Sequence, residues 1–425
     1  MNRLIFLICL FLFFLTTGAS LLVSQAATTA SSTDDGASAA GAMDGDRYGL
    51  SNGTFWRGRA SEKAWWWQVE FDSPRLVGAI EQIVGDHPFV FHNAPRRYQW
   101  QGSLDGHHWF DLFAMLKTPE ERIARMHRLR RPRLTRWMRM NVAEAAGDRP
   151  TLREVVFHED PQARVSFPEW IVVVNVTDDG HLPGQGEEFI PLAQSVAPAL
   201  RAQQILLTTL TPEFLSVEPK PLCVFLSGSF KDWCEVDRSH WRGTQSVMKQ
   251  GRTPMWASCG GAQALGLISE YGVDRKWDCP HCPRSQGRAT PLYGHIGHTA
   301  AKPCGEYSAC VFERGPFQAK QVGVDPIFAG LSEEFTVMES HCGQLEWTPA
   351  GWDLVATSGA GTKTEVQCVR KTGTPIYAAQ FHIEMTGAEE NSKTLMRNFL
   401  TLARRWVAEG NRDTANPSRP SFIQR

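Results

Sequence analysis

Trp256-Ala257-Ser258-Cys259-Gly260-Gly261-Ala262-Gln263-Ala264-Leu265 is the stretch from which the rest of the chain is read. Thr253-Pro254-Met255-Trp256 reads as a short buried strand, and Gln263 to Tyr271 has helical spacing. A cysteine between small residues at a strand-to-helix turn has the design of a nucleophile elbow. Small neighbours let a substrate carbonyl come close. The first N–H groups of the helix favour thiolate over thiol and can hold a developing oxyanion. A lone cysteine in such a place is more readily a buried structural residue, so other residues must decide.

They lie late in the chain. Ile376-Tyr377-Ala378-Ala379-Gln380-Phe381-His382-Ile383-Glu384 reads as an apolar strand delivering His382 at its end, with Glu384 two residues on. A thiolate nucleophile needs a base and then an acid for the leaving amine, and histidine titrates in that range. A carboxylate behind it fixes the tautomer and stabilises the imidazolium. The elbow and the Gln-Phe-His-x-Glu segment together resemble class I glutamine amidotransferases, whose pattern is Gly-x-Cys-x-Gly-x-Gln followed far downstream by Gln-Phe-His-Pro-Glu. Phe225-Leu226-Ser227-Gly228-Ser229 is similar to the family's Ser-Gly-Gly oxyanion loop, and Ser340-His341 to its Ser-His pair. The resemblance runs from Trp170 to Ala408, with the four pieces in the family's order. Ala257, Ser229 and Ile383 depart from the pattern, standing for two glycines and a proline.

The resemblance implies a flavodoxin-like, mostly parallel α/β domain with a Cys259-His382-Glu384 triad. Cys259 would attack the amide carbon of glutamine or of a γ-glutamyl compound, with His382 as base and acid and Glu384 orienting it. Backbone N–H groups of the Gly228-Ser229 loop and of Gly260 would face the oxyanion, and Gln263 and His341 would position substrate. No Gly-x4-Gly-Lys phosphate loop is found, so hydrolysis is expected over transfer of ammonia to a synthetase. A cysteine-dependent α/β-hydrolase is the second enzyme reading, but its acid lies on a separate strand well before the histidine. A third reading is an inactive amidotransferase-like scaffold serving as a surface- or polysaccharide-binding protein.

Charge is balanced, 44 Lys+Arg against 45 Asp+Glu, which gives no argument for nucleic acid as a partner. Leu4 to Val23 is nearly all apolar and is followed by Ser24-Gln25-Ala26. Residues 1–26 read as a signal peptide, giving an exported protein, periplasmic or extracellular; an uncleaved membrane anchor is the alternative. Residues 27–45, rich in Ala, Ser, Thr, Gly and Asp, read as a flexible linker.

Residues 46–160 show short apolar alternations broken by Gly, Pro, Asn and Asp, the pattern of an all-β unit. Trp66-Trp67-Gln68-Val69-Glu70-Phe71, Tyr98, Ser103-Leu104-Asp105-Gly106-His107-His108-Trp109, Arg136-Trp137-Met138-Arg139-Met140 and Leu152-Arg153-Glu154-Val155 resemble a discoidin domain, the coagulation factor five/eight type C fold. That resemblance implies a galactose-binding-like jelly-roll sandwich. Its seven tryptophans read mostly as core. Eight arginines from Arg122 to Arg139 read as a charged loop, either a solvated face or a seat for a carbohydrate or anionic surface.

Residues 168–411 alternate strand and helix, the grammar of a parallel sheet covered on both faces. Glu188 to Gln203 reads as a helix, Ile205 to Thr208 as a strand, and Asn391 to Glu409 as a closing helix; residues 412–425 read as a disordered tail. A cysteine-rich insert occupies residues 275–312. Nine cysteines follow the signal, an odd number, and Cys259 is the natural free thiol among them. Export tips the other eight toward disulfides. Cys279, Cys282, Cys304 and Cys310 are the alternative set for a structural zinc, while His281, His295 and His298 read equally as surface histidines. No other cofactor is implied.

Overall fold

A computed structural model describes residues 26–47, 53–85, 93–117, 124–163, 169–177, 184–229, 231, 233–277, 279, 290–298 and 310–409. All of the signal peptide read from the sequence but Ala26, and the whole of the C-terminal tail, lie outside them. The chain divides into two units. The first holds the chain to Gln82, with Pro95–Lys117 and His127–Ala163; the second holds Ile83–Ala94, Thr118–Met126 and everything from Arg164.

The first unit is all-β. Trp65–Ile83, Pro95–Ser103 and Ala124–Ala145 are long strands of a 7-stranded sheet, and Trp56–Arg57 pairs with Thr151–Leu152 in a second, small one. Along Trp65 to Phe71 burial alternates, so Trp65, Trp67, Val69 and Phe71 face inward, as a half-buried strand requires. Trp67 meets Trp100 edge-on with ring centroids 6.3 Å apart, and Trp100 meets Phe157 at 5.9 Å. Four of the seven tryptophans, Trp56, Trp65, Trp67 and Trp100, are core residues.

Two expectations need correction here. Residues 27–45 are not a linker. Ala26–Ala30 is an edge strand paired antiparallel with Phe71 through Trp67, and Ala40–Met43 is a short 3-10 helix with Ala42 fully buried. Small and hydroxylated residues suit a narrow edge position as well as they suit a linker, and Thr28 and Thr29 carry the β preference. From Arg125 to Arg139 the arginine run is not a loop but part of the strand Ala124–Ala145, while Arg122 lies outside the described residues. Several of its guanidinium groups lie over rings: Arg139 is 4.0 Å from the Trp109 centroid, Arg136 4.7 Å from Trp137, and Arg133 5.0 Å from Phe110.

The second unit is built on a nine-stranded sheet. Its parallel half runs Arg201–Leu206, Trp170–Asn175, Val224–Leu226, Met255–Ser258, Ile376–Ala379. Continuous burial along Trp170–Asn175, Val224–Leu226 and Met255–Ser258 is what strands covered on both faces show. Four antiparallel strands extend it: Cys368–Lys371, Trp352–Ser358, Glu313–Gln321 and Glu334–His341.

The closing helix, Glu389–Ala408, buries Leu395, Met396, Phe399, Leu400, Ala403 and Trp406, spaced three and four apart on one stripe. Phe399 packs on Phe225 and Trp256, at 5.3 and 5.8 Å between ring centroids. The helix read over Glu188 to Gln203 is only Phe189–Val196, because Pro198 stops it and Arg201–Leu206 pairs with Trp170–Asn175 instead. Among the described residues no helix is long and apolar enough to cross a membrane.

The disulfide reading also changes. Cys223 and Cys368 are fully buried free thiols, and burial pushes both well above the ordinary thiol range. They act as small core hydrophobes. Cys279 is a free thiol as well.

Candidate active site

Cys259 occupies the tight turn between the strand Met255–Ser258 and the helix Gly260–Tyr271. It has φ 49° and ψ −114°, the only non-glycine residue at positive φ among the described residues. Strain of this kind persists only where surrounding contacts over-determine it. Here the strand Met255–Ser258 fixes one side, the helix Gly260–Tyr271 begins at once on the other, and the Cys259 N–H donates to the Ala379 carbonyl at 2.8 Å.

The two glycines after it are required by packing. A Cβ on Gly260 would stand 2.6 Å from the Ser229 backbone nitrogen, and one on Gly261 2.7 Å from the Ser227 carbonyl oxygen. The helix start is thus pressed against the Ser227-Gly228-Ser229 loop. That loop is ordered from within: Val176 N–H donates to Ser227 Oγ at 3.2 Å, and Ser227 Oγ–H donates to the Gly228 carbonyl at 3.1 Å.

The strand Ile376–Ala379 brings His382 to the same edge. A Cβ on Gly228 would lie 3.1 Å from His382 Cε1, 3.5 Å from Cys259 Cβ and 3.9 Å from Cys259 Sγ, so glycine is what lets ring and sulfur share the space. His382 Nδ1 is 2.6 Å from Glu384 Oε1. The other ring nitrogen, Nε2, is buried without a well-aligned acceptor and is the one left for the sulfur. Burial disfavours the charged ring, but Glu384 and Cys259 outweigh it and hold the His382 pKa well above its ordinary value. Cys259, His382 and Glu384 therefore come together, as do Gly228, Ser229 and Gly260 beside them.

Behind the triad runs a support that the sequence reading did not name. Trp256 Nε1–H donates to Ser258 Oγ at 3.1 Å, and Ser258 Oγ–H donates to Glu384 Oε2, also at 3.1 Å. Ser258 is the last residue of the strand Met255–Ser258 and directly precedes Cys259.

Gln263 and His341 lie at the site but are committed to protein partners. Gln263 Nε2 donates to the Gly343 carbonyl at 2.7 Å and to Gln380 Oε1 at 3.1 Å, while its Oε1 accepts from Trp233 Nε1 at 3.0 Å. Its amide braces the wall of the pocket. His341 Nδ1 donates to the Gly343 carbonyl at 2.9 Å, and Nε2 stands 2.9 Å from Glu339 Oε2 and 3.5 Å from Glu313 Oε2. All three side chains are almost wholly buried. Burial opposes the charge on His341, yet Glu339, with Cys259 and Glu313, raises its pKa. Glu339 was legible in principle, two positions before His341 on one strand and hence on one face. Glu313 comes from the neighbouring strand, directly opposite His341.

Ser229, Cys259, Gln263, Tyr293, His295 and His341 contribute to a pocket of about 210 Å³. It is smaller than the roughly 300–1,000 Å³ of drug-sized ligand sites. Of the four cysteines read as a zinc set, Cys282 and Cys304 lie outside the described residues, and half-buried Cys310 is not part of the group that Cys279 forms. Cys279 instead meets two histidines, His295 and His298, and His295 is buried rather than on the surface.

Fold and site define an α/β domain with an elbow-borne cysteine faced by a histidine–carboxylate pair. Comparison with known proteins identifies two domains: residues 196–402 match the model for glutamine amidotransferase class-I, and residues 27–156 match the model for the F5/8 type C domain. The chain carries an F5/8 type C domain followed by a class I glutamine amidotransferase domain. Among curated proteins it is similar to GMP synthase [glutamine-hydrolyzing] of Aspergillus oryzae, 37% identical over 84 residues, which are 19% of this chain and 15% of that one. GMP synthase [glutamine-hydrolyzing] of Thermosipho melanesiensis is 32% identical over 81 residues, 19% of this chain and 15% of its own. The chain thus spans well under half the length of the curated relatives it matches. Among solved structures, a GMP synthase-type protein from Thermoplasma acidophilum aligns with TM-score 0.41 and 18% identity, over 57% of this chain and 98% of that one. The family 32 carbohydrate-binding module of C. perfringens NanJ, in complex with galactose, aligns with TM-score 0.28 and 14% identity, over 32% of this chain and 94% of its own.

Proposed function

We propose that the protein is an exported enzyme that hydrolyses the side-chain amide of glutamine, or a related γ-glutamyl bond, through a thioester on Cys259. The observation that carries this reading is the meeting of a strained, elbow-borne sulfur with the His382–Glu384 pair across Gly228.

The sulfur attacks the amide carbon, and the carbonyl π electrons move onto oxygen. N–H groups of Gly260 and of the Gly228-Ser229 loop receive that charge as the C–S bond forms. His382, protonated, gives its proton to the nitrogen; the C–N bond breaks and ammonia, or an amine, leaves. Water, deprotonated by the now neutral His382, adds to the thioester, and collapse returns the thiolate with the γ-carboxylate product. Glu384 keeps Nδ1 protonated throughout and Nε2 aimed at the sulfur. The small pocket suits a single small amide-bearing group.

The amino-terminal domain supplies targeting in this reading, by binding carbohydrate or an anionic surface. Exposed Arg130, Arg131 and Arg133 on one strand provide the charge such a surface would meet.

Treatment with a glutamine-like electrophile tests the enzymatic reading. One adduct per chain, mapped to Cys259 and blocked by excess glutamine, is expected. An unlabelled Cys259 beside a fully folded protein would support the inactive-scaffold reading instead.

A further inference from the structure

We propose that Cys279, His295 and His298 form a zinc site that fixes one wall of the catalytic pocket. The ligand atoms of the three side chains all lie within 4.8 Å of one another. Thiolate and imidazole ligands at about 2.0–2.3 Å from a tetrahedral zinc stand roughly 3.3–3.8 Å apart, so small side-chain movements close the shell. One sulfur and two imidazoles are a donor set that zinc favours over calcium or magnesium, which prefer oxygen.

The setting is built rather than incidental. Cys279 and His295 are 3% and 4% exposed, which removes both from the ordinary surface population. The His295 and His298 rings lie 4.6 Å apart, tilted rather than stacked. His295 Nε2 is 3.1 Å from the Tyr293 hydroxyl, the kind of outer contact that fixes the orientation of a metal-bound imidazole. Cys279 is not engaged in a disulfide.

Position gives the site its consequence. Tyr293 and His295 both line the pocket that holds Cys259. Among the described residues their strand, Tyr293–His295, pairs with Gly343–Leu345 alone, three residues against three. A two-stranded ribbon this short is marginal by itself. A metal joining residue 279 to residues 295 and 298 closes the intervening chain and supplies the missing constraint. The proposal does not depend on the glutamine chemistry, because its readouts are metal content and spectrum.

The test uses the full-length protein, purified without chelators. Elemental analysis is expected to give about one zinc per chain in the wild type and less than about a tenth in Cys279→Ser and in His298→Ala, as a site that loses a first ligand requires. Cobalt added to metal-depleted wild type is expected to produce a thiolate-to-cobalt charge-transfer band that Cys279→Ser lacks. Metal-free wild type with no cobalt band would overturn the proposal, as would equal zinc in all three proteins. Peptide mapping under non-reducing conditions that finds Cys279 in a disulfide would also overturn it. These wild-type readings hold even if a variant folds poorly.

Discussion

Ser258 has no reactive role in the proposed chemistry, yet it braces a residue that has one. Its hydroxyl links the Trp256 indole to the far oxygen of Glu384, while the near oxygen holds His382. Losing one such bond is worth about 0.5–1.5 kcal/mol, so Ser258→Ala is expected to lower kcat roughly 2–10-fold with KM unchanged. Steady-state ammonia release measures it; a KM effect with normal kcat would assign Ser258 to binding instead. His382 carries a second prediction. Its folded pKa is raised, so the stability it contributes is complete below its unfolded value of about 6.5 and is lost as pH climbs through the higher folded value. Denaturation midpoints are expected to fall across that alkaline window, and to fall less steeply in His382→Gln. A parallel decline in both proteins would place the effect elsewhere, with His341 the next group to examine. The meeting of Cys259, His382 and Glu384 was legible in the sequence because the proposed chemistry restricts residue type at fixed spacing. Glu313 and Ser258 were not, since a buried carboxylate beside a histidine and a hydroxyl behind a carboxylate are facts of tertiary placement.

Between strand and helix, the elbow works because two loops approach more closely than any side chain allows. Gly260→Ala would press a methyl group into the Ser229 backbone, where no flexible side chain can yield. A loss of about 2–4 kcal/mol is expected, typical of overpacking against a special backbone, with activity falling further because the oxyanion loop shifts. Urea denaturation checks the first part; wild-type stability in the variant would mean that the loop and the helix start move apart freely. The elements of the parallel sheet were readable from apolar runs, and their parallel direction from the alternation of strand and helix, but their order in the sheet was not. The helix after Glu188 was overextended because apolar spacing continues past Val196, while Pro198 and the pairing partner of Arg201–Leu206 end it. Cysteine counting misled in a similar way. Cys223 and Cys368 sit in or beside core strands, where a thiol fills space like any small apolar group.

Two units make up the whole molecule, and the first owes an edge of its sheet to a segment of small, polar residues. Ala26–Ala30 closes an edge of the sheet in the first unit through five paired residues. Deleting residues 26–30 is expected to lower the Tm of that unit by a few degrees, since about 1 kcal/mol shifts a domain of somewhat over 100 residues by roughly 3–5 °C. Glutaminase activity in the second unit should be unchanged. Calorimetry resolves the two; an unaltered first transition would return those residues to the status of a linker. Composition alone could not separate an edge strand from a tether, because both use small polar residues, and only the partner strand tells them apart.

Ammonia release from L-glutamine by the full-length protein, followed beside Cys259→Ala, reaches the centre of the account. Ammonia and glutamate formed in equal amounts by the wild type, with at least a roughly 1,000-fold lower rate in the variant, is the expected result for removal of a covalent nucleophile. Release at the same rate from both proteins would contradict a thioester on Cys259.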